Sequence, residues 1–206
     1  LVVAFQVIVA RVSLKRETKR RLQHALTGHA LVQISYVLPR EIALALLVLG
    51  AAGIYVLHQF YPSKFQQAFG ALLRPHESQQ LPGAFWFLVG TAITVMLVKD
   101  WIVIRYAVEC LALADPMASW IGSTIRSPKI NAGSSVSGCL ACFATAVAVG
   151  KVMLVNPSHY TLGVGALVCT VAEASPYGND NLNIPILTAL AVYHYGGYSS
   201  SWFSIL

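Results

Sequence analysis

Two arginines and a histidine stand near the beginning of the chain in a spacing that suits phosphate. Arg20, Arg21 and His24 belong to the sequence R-R-L-Q-H. If this segment is helical, Arg20 and His24 lie four residues apart and share one face. Arginine presents a rigid fork of N–H donors that matches phosphate oxygens. The spacing alone is equally compatible with a cationic anchor at a membrane edge.

Asp115 ends an apolar stretch and is followed by Pro116 and then by small residues. A carboxylate at membrane depth is costly and is a functional candidate by default. Small residues such as Ser119 and Gly122 would let a ligand approach the backbone. Through Mg²⁺, which prefers oxygen ligands, Asp115 could hold the phosphates of a nucleotide. The alternative is a helix N-cap, because Asp before Pro is typical of a helix start; we favour the ligand-binding interpretation.

A third group of polar side chains follows a later apolar run. Glu173 ends that run, and Asp180 and Asn181 come just before the next one. Two carboxylates and an amide at one membrane edge could bind Mg²⁺ or act as a general base on a hydroxyl group. Turn chemistry explains Asn179 and Asp180, since G-N-D-N is turn-prone. It does not explain Glu173 at the end of an apolar run.

Two further motifs are weaker. Arg74 and Glu77 precede an apolar run, where a local salt bridge capping a helix that begins near 81–82 is the simpler explanation. Ser135 and Gly138 lie in the serine-rich segment S-S-V-S-G, before another run. Hydroxyl groups and free N–H groups at a helix N-terminus bind anions. Helix capping explains one of the three serines, so the segment is a weak candidate for phosphate binding.

The elements that carry these residues are predicted to be membrane helices. Of the 206 residues, 56% are hydrophobic and only 11% are charged, against roughly 25% charged in soluble domains. The mean hydropathy is +0.64. Stretches without Lys, Arg, Asp or Glu, each long enough for the roughly 20 residues of a spanning helix, are 42–62, 78–98, 130–150, 152–172 and 181–206. We expect an all-α polytopic membrane bundle of about seven to nine transmembrane helices, in a single domain over 1–206.

Alternation of the spans predicts where the polar motifs meet. We expect an interfacial helix in 59–74 and membrane segments at 1–12, 22–38, 42–58, 82–98, 101–118, 134–155, 160–174 and 183–204. The basic loop 13–21 marks the cytosol-like side, since five of its last seven residues are basic. Loops 59–81, 119–133 and 175–182 then fall on that side as well. All the polar motifs would thus gather at one face of the bundle.

The net charge, the cysteine content and the first residue of the chain further restrict the kind of protein that this is. The net charge of +6 reflects basic residues that set topology beside apolar helices, not a nucleic-acid interface. Cys139 and Cys142 form a C-x-x-C, but no second pair or nearby histidine supports zinc. Buried small side chains are the simpler role for all four cysteines. The chain does not begin with Met, so we expect a fragment or a processed product.

Taken together, the motifs resemble those of the CTP-dependent lipid kinases: dolichol kinase, phytol kinase and the fungal type of diacylglycerol kinase. The phosphatidate cytidylyltransferases are relatives of this family. The likeness runs from about 20 to 185. R-R-L-Q-H with T-G at 27–28 looks like the family's basic-x-x-His block, and R-P-H-E with Gly83 and Gly90 looks like its R-P-x-E segment. D-P-M-A-S-W-I-G from Asp115 is similar to its G-D-x-x-A-S-x-x-G signature. Glu173 with D-N-L-N-I-P from Asp180 is similar to its closing E…D-N-x-x-I-P.

The resemblance implies transfer of the γ-phosphoryl group of CTP to a lipid alcohol: a polyprenol, phytol or diacylglycerol. It implies catalytic roles for Asp115, Glu173 and Asp180, of which Asp115 and Asp180 would hold Mg²⁺. Catalysis of this kind is mainly positioning and charge neutralisation. The nucleotide and phosphate contacts that it implies come from Arg20, Arg21, His24, Arg74, Glu77, Ser119, Ser135, Gly138 and Asn181.

The chain departs from the family pattern at three places. Ala114 stands where the family has Gly, and Ser123 stands where it has Arg or Lys. The family's K-S/T-x-E-G block is S-S-V-S-G at 134–138, which keeps a hydroxyl group and the Gly but loses both charges. Losing a phosphate-binding Lys from a site of low dielectric should cost several kcal/mol of transition-state stabilisation. Arg126 and Lys129 are nearby cations that could replace it.

Two functions are expected on these grounds. One is a membrane-embedded CTP-dependent lipid kinase with Mg²⁺ as cofactor. The other is a catalytically degenerate relative, holding bound lipid only, that serves as a structural or lipid-binding subunit of a larger membrane complex. Both have membrane lipids and other membrane-protein subunits as partners, and neither involves nucleic acid. We expect an integral protein of the endoplasmic reticulum or of a mitochondrial or plastid membrane.

Overall fold

A computed structural model describes residues 15–69 and 80–198. Regular structure in these two ranges is α-helical, apart from an isolated bridge between Lys129 and Ser135. The predicted all-α class is therefore confirmed for the described part. The expected segment 1–12, and Arg74 and Glu77, lie outside the described residues. The helices are α1 Arg16–Ile34, α2 Arg40–Phe60, α3 Pro62–Phe69, α4 Gly83–Leu97, α5 Trp101–Thr124, α6 Val136–Met153, α7 His159–Ala174 and α8 Asp180–Tyr195.

Helix α5 lies at the centre of the bundle. It packs against α1, α6 and α8, while α4 lies between α2 and α8, and α7 lies between α6 and α8. Its side chains at Tyr106, Cys110 and Ala114 are fully buried. Asp100 begins the helix, because its Oδ1 accepts a hydrogen bond of 2.7 Å from the backbone N–H of Ile102. The central helix therefore carries residues toward most of its neighbours.

Helix α5 is longer than the sequence indicates and includes Asp115. It continues through Pro116 to Thr124, so the N-cap interpretation of Asp115 is wrong. A proline inside a helix removes one backbone hydrogen bond and costs about 3 kcal/mol. Ala114 and Ala118, on either side of the proline, are both buried in the core. Packing of this continuous face outweighs the local stop signal.

Other helix ends follow the sequence more closely. The helix expected within 59–74 is present as the short α3. Helix α8 begins three residues earlier than predicted, because Asn179 caps it: its Oδ1 accepts from the backbone N–H of Asn181 at 3.1 Å.

The cysteines are free thiols. The Sγ atoms of Cys142 and Cys169 are 3.9 Å apart, well beyond the roughly 2 Å of a disulfide.

Two of the described helices, α2 and α6, are long and apolar enough to cross a membrane. Helix α4 is apolar but has 15 residues, fewer than the roughly 20 that span a bilayer. Much of the surface of α2 is apolar and exposed: Leu49 is 67% exposed and Leu46 is 54% exposed. This composition supports association with a membrane.

Candidate functional site

Arg21 joins α1 to the last turns of α5. Its Nε donates to the Oγ of Ser119 at 3.0 Å, and its Nη2 donates to the Oγ of Ser123 at 3.2 Å. The guanidinium group of Arg21 therefore contacts Ser123. The family pattern has a cation at the position of Ser123. Both acceptors are neutral hydroxyl groups, so the positive charge of Arg21 is not neutralised by these contacts.

His24 lies one turn further along α1 and contacts Asp115. Its Nε2 is 3.0 Å from the carbonyl oxygen of Leu111 and 3.5 Å from Oδ2 of Asp115. Because a carbonyl only accepts, Nε2 carries the proton and donates to the carbonyl oxygen of Leu111, with the carboxylate of Asp115 nearby. The ring of Phe87, from α4, packs edge-on against the imidazole at 5.3 Å between centroids. These contacts fix both the tautomer and the orientation of the ring.

Arg20 occupies the neighbouring position on α1. Its Nη2 pairs with Oε2 of Glu17 at 3.4 Å, while its Nε is buried without a hydrogen-bond partner. A buried donor that is left unpaired is costly, roughly 1–3 kcal/mol and more for a charged group. Such a group is satisfied when an acceptor such as a phosphate oxygen approaches it.

Three carboxylates from three helices converge beside this face. Glu173, half-buried in α7, is close enough to Asp115 and Asp180 for their charges to act on it. Asp115 comes from α5 and Asp180 from the first turn of α8. Carboxylates at short range in a poorly solvated place repel one another. A cation entering this cluster would relieve the repulsion.

Asn181 lies at the base of the cluster, against α4. Its Oδ1 is buried without a hydrogen-bond partner in the described structure, and its Nδ2 lies beside Gly83. A Cβ atom on Gly90 would clash with the backbone oxygen of Asn181. Glycine at 90 therefore lets α4 approach α8 closely. The two helices hold the Asn181 amide in place.

The segment 134–138 lies at the same end of the bundle, where it caps α6. The Oγ of Ser135 accepts from the backbone N–H of Gly138 at 3.3 Å. The Oγ of Ser137 accepts from Ser127 at 2.8 Å and donates to the carbonyl of Ile125 at 3.1 Å. Two of the three serines thus have structural roles. Helix capping and loop anchoring account for them without a phosphate.

Gly138 brings α6 close to the helix that carries Asp115. A Cβ atom on Gly138 would lie 2.9 Å from the carbonyl oxygen of Ala118, so α5 and α6 cross here at short range. Ser119, the next residue along α5, contacts Arg21. The serine segment is therefore adjacent to the polar cluster.

Asn131 is a positioning residue that the sequence did not reveal. Its Nδ2 donates to the carbonyl of Ala174 at 2.6 Å, and its Oδ1 accepts from the backbone N–H groups of Gly133 and Ser134 at 2.8 Å. It ties the loop between α5 and α6 to the residue after Glu173. The available signal was an asparagine in the turn-prone sequence N-A-G.

A second histidine–carboxylate pair lies along the same two helices. Nδ1 of His29 is 2.7 Å from Oε1 of Glu109, which is only 4% exposed. The other oxygen of Glu109 is buried without a hydrogen-bond partner. The sequence signal was a lone carboxylate within an apolar helix, six residues before Asp115.

The described residues contain no group of three or more His, Cys, Asp or Glu side chains arranged to hold a metal ion. Mg²⁺ usually keeps several waters and binds through one or two carboxylates together with substrate phosphates. Asp115 and Asp180 fit that second kind of site, since both lie close enough to Glu173 for their charges to act on it. Comparison of the chain with protein-family models, with curated proteins and with solved structures finds no match.

Proposed function

We propose that this protein is a membrane-embedded lipid kinase that transfers the γ-phosphoryl group of CTP to a polyprenol, phytol or diacylglycerol. The observation that best supports the proposal is the convergence of Asp115, Glu173 and Asp180, from three helices, beside His24. Partly buried carboxylates that interact with one another at short range are typical of functional sites. The motif resemblance supplies the reaction and the substrate classes.

The cationic residues of α1 are assigned to the phosphates of CTP. Arg21 supports this role because its guanidinium lies over Ser123, where the family pattern has a cation. It supplies a charge that the eroded segment 134–138 lacks. Arg20 adds a buried N–H donor that has no partner. Arginine binds phosphate in a bidentate manner, which gives both energy and orientation.

The carboxylates are assigned to the metal and to proton transfer. Asp115 and Asp180 would hold Mg²⁺, which when bound neutralises charge on the phosphates. Glu173 accepts the proton of the lipid hydroxyl group. The hydroxyl oxygen forms a bond to the γ-phosphorus, the bond from that phosphorus to the β,γ-bridging oxygen breaks, and CDP leaves.

The proposal includes a polytopic bundle of seven to nine spans in the endoplasmic reticulum or in a mitochondrial or plastid membrane. Support comes from the length of α2 and α6 and from apolar residues exposed on several helices. Exposed apolar surface of this extent is typical of contact with lipid or protein. Exposed examples are Leu46 and Leu49 on α2, Leu140 on α6, Leu167 and Val171 on α7, and Leu187 on α8.

A specific observation favours a second function, that of a degenerate relative serving as a lipid-binding subunit of a membrane complex. Ser135 and Ser137 are committed to bonds within the fold, and no charged residue stands in segment 134–138. A site that had lost its phosphate contacts could keep the bundle and its lipid surface. The two functions differ in catalysis, because only the kinase transfers phosphate from CTP.

The test is transfer of label from CTP labelled in its γ-phosphate to each of the three lipid alcohols in detergent micelles with Mg²⁺. We expect transfer to one acceptor class and its loss in Asp180→Asn, with Glu41→Gln, an exposed carboxylate on α2, as the matched control. Chelation of Mg²⁺ should abolish transfer as well. Absence of transfer to every acceptor, by protein with an unchanged thermal unfolding curve, would overturn the kinase and leave the lipid-binding subunit.

A further inference from the structure

An apolar cavity of about 170 Å³ lies between α1, α2, α4 and α5. Its wall is formed mainly by aliphatic side chains such as Leu47, Leu88 and Ile104. Arg105 and Trp101, near the start of α5, line it as well. Arg105 is ten residues from Asp115, which corresponds to about 15 Å along the helix. The cavity is therefore distinct from the carboxylate cluster and lies toward the opposite end of the bundle.

Two arginines give this end of the cavity a positive charge. Arg105 donates from Nε to Oγ of Ser35 at 2.9 Å and from Nη2 to the carbonyl of the same residue at 2.8 Å. Arg40 donates to backbone carbonyls at the end of α4, including that of Val98. The two guanidinium carbons lie 5.3 and 5.8 Å from the ring centroid of Trp101.

These two cations have neutral partners throughout the described residues. Glu109, one turn beyond Arg105 on the same helix, pairs with His29. In a poorly hydrated place a cation without a counter-charge attracts an anion. The chain therefore offers a cationic mouth to an apolar cavity.

A polar group inside the cavity gives an independent indication of a ligand. Thr91, on α4, lines the cavity and is only 6% exposed, and its Oγ1 has no hydrogen-bond partner. A buried hydroxyl group that is left unpaired is costly. A ligand with an oxygen acceptor below its head group would satisfy it.

We propose that the cavity binds an anionic glycerophospholipid, with its phosphate at Arg105 and Arg40 and an acyl chain along the apolar wall. An ester oxygen of the lipid accepts from Thr91. Charge decides between occupants: a neutral lipid alcohol needs no cation, whereas the phosphate of the proposed lipid matches both guanidinium groups. The site is separate from the proposed catalytic cluster and does not depend on its activity.

The experiment is native mass spectrometry of the delipidated protein in detergent, titrated with phosphatidylglycerol or with phosphatidylcholine of the same acyl chains. Phosphatidylglycerol should bind about tenfold more tightly, and Arg105→Gln should remove that preference, since a charge-assisted bond contributes about this factor. Ala43→Trp fills the cavity from a half-exposed wall position and should abolish binding of both lipids. Ala45→Trp, exposed on the same helix and outside the wall, is the control.

Thermal unfolding verifies that each variant is folded, and Arg40→Gln replaces Arg105→Gln if the latter is not. Equal binding of both lipids, or a preference that survives the arginine variants, would overturn the proposal. Binding that Ala43→Trp leaves unchanged would place the lipid elsewhere on the surface. Displacement of phosphatidylglycerol by a long-chain alcohol at equal concentration would assign the cavity to the acceptor instead.

Discussion

Glu173 is the carboxylate of the candidate site on which the charges of two other helices act. It is half-buried at the end of α7, and Asp115 and Asp180 lie close enough to interact with it electrostatically. As the proposed general base, Glu173 must be ionised to accept the proton of the lipid hydroxyl group.

Arg21 is predicted to provide the main phosphate contact. Arg21→Gln removes a charged donor and should lower the affinity for CTP by about 10–100-fold, as loss of a charge-assisted bond does. Arg21→Lys keeps the positive charge but loses the forked pair of N–H donors, so its affinity for CTP should lie between those of the parent protein and Arg21→Gln. Equilibrium binding of labelled CTP measures both. Arg126→Gln, at an exposed position in the loop, should bind normally; a larger effect there would assign the missing cation to Arg126.

At the scale of elements, the close approach of α4 and α8 positions Asn181. Pro185 has no N–H, so the backbone oxygen of Asn181 lacks its usual helical donor, and this oxygen faces Gly90. Gly90→Ala places a methyl group against it. Overpacking of this kind costs typically about 1–3 kcal/mol, and the separation of the helices should also weaken CTP binding.

Gly53 provides the matched control, because a Cβ atom there meets nothing within 4 Å. Gly53→Ala in the middle of α2 should stabilise the protein slightly, by about 0.5–1 kcal/mol. Thermal unfolding of the two variants compares them directly. If Gly90→Ala is as stable as Gly53→Ala, the contact between α4 and α8 is not as close as described.

The sequence predicts the helical class and the grouping of motifs better than it predicts helix ends. Apolar runs of spanning length alternate with polar motifs, and alternation alone brings Arg21, Asp115 and Glu173 to one end. The local sequence does not predict that α5 continues through Pro116, since Asp followed by Pro is typical of the first residues of a helix. It depends on packing of residues that are distant in sequence.

Side-chain partners are the least predictable part. The pairing of Glu109 with His29 and the anchoring of the loop by Asn131 depend on which faces of two helices meet. Sequence spacing restricts the face of one helix but not the register between two. The serines of segment 134–138 are candidate anion ligands in the sequence because their partners within the fold cannot be read from it. Their loop partners, Ser127 and Ile125, become adjacent only in the fold.

At the scale of the whole molecule, the polar cluster and the loops around it should lie on one side of a membrane. Helix α6 has 18 residues and is therefore about 27 Å long, close to the thickness of the hydrocarbon core. The loop before α6 contacts the end of α7 beside Glu173. The residues after α6 lie at the opposite end.

Labelling from one side tests this arrangement. Single cysteines at the exposed positions Ile130 and Tyr177 should react together with an impermeant thiol reagent in sealed vesicles, and a cysteine at Val155 should react from the other side. The parent protein gives the background of its native thiols. Equal labelling of all three positions from one side would rule out a spanning α6.

The most direct test of the kinase proposal is Mg²⁺-dependent binding of CTP to the detergent-purified protein, compared with Asp115→Asn, Asp180→Asn and the control Glu41→Gln. We expect saturable binding by the parent and the control, lost in both aspartate variants while all four proteins unfold at similar temperatures. No binding at millimolar CTP by the folded parent protein, or binding that neither aspartate variant weakens, would contradict it.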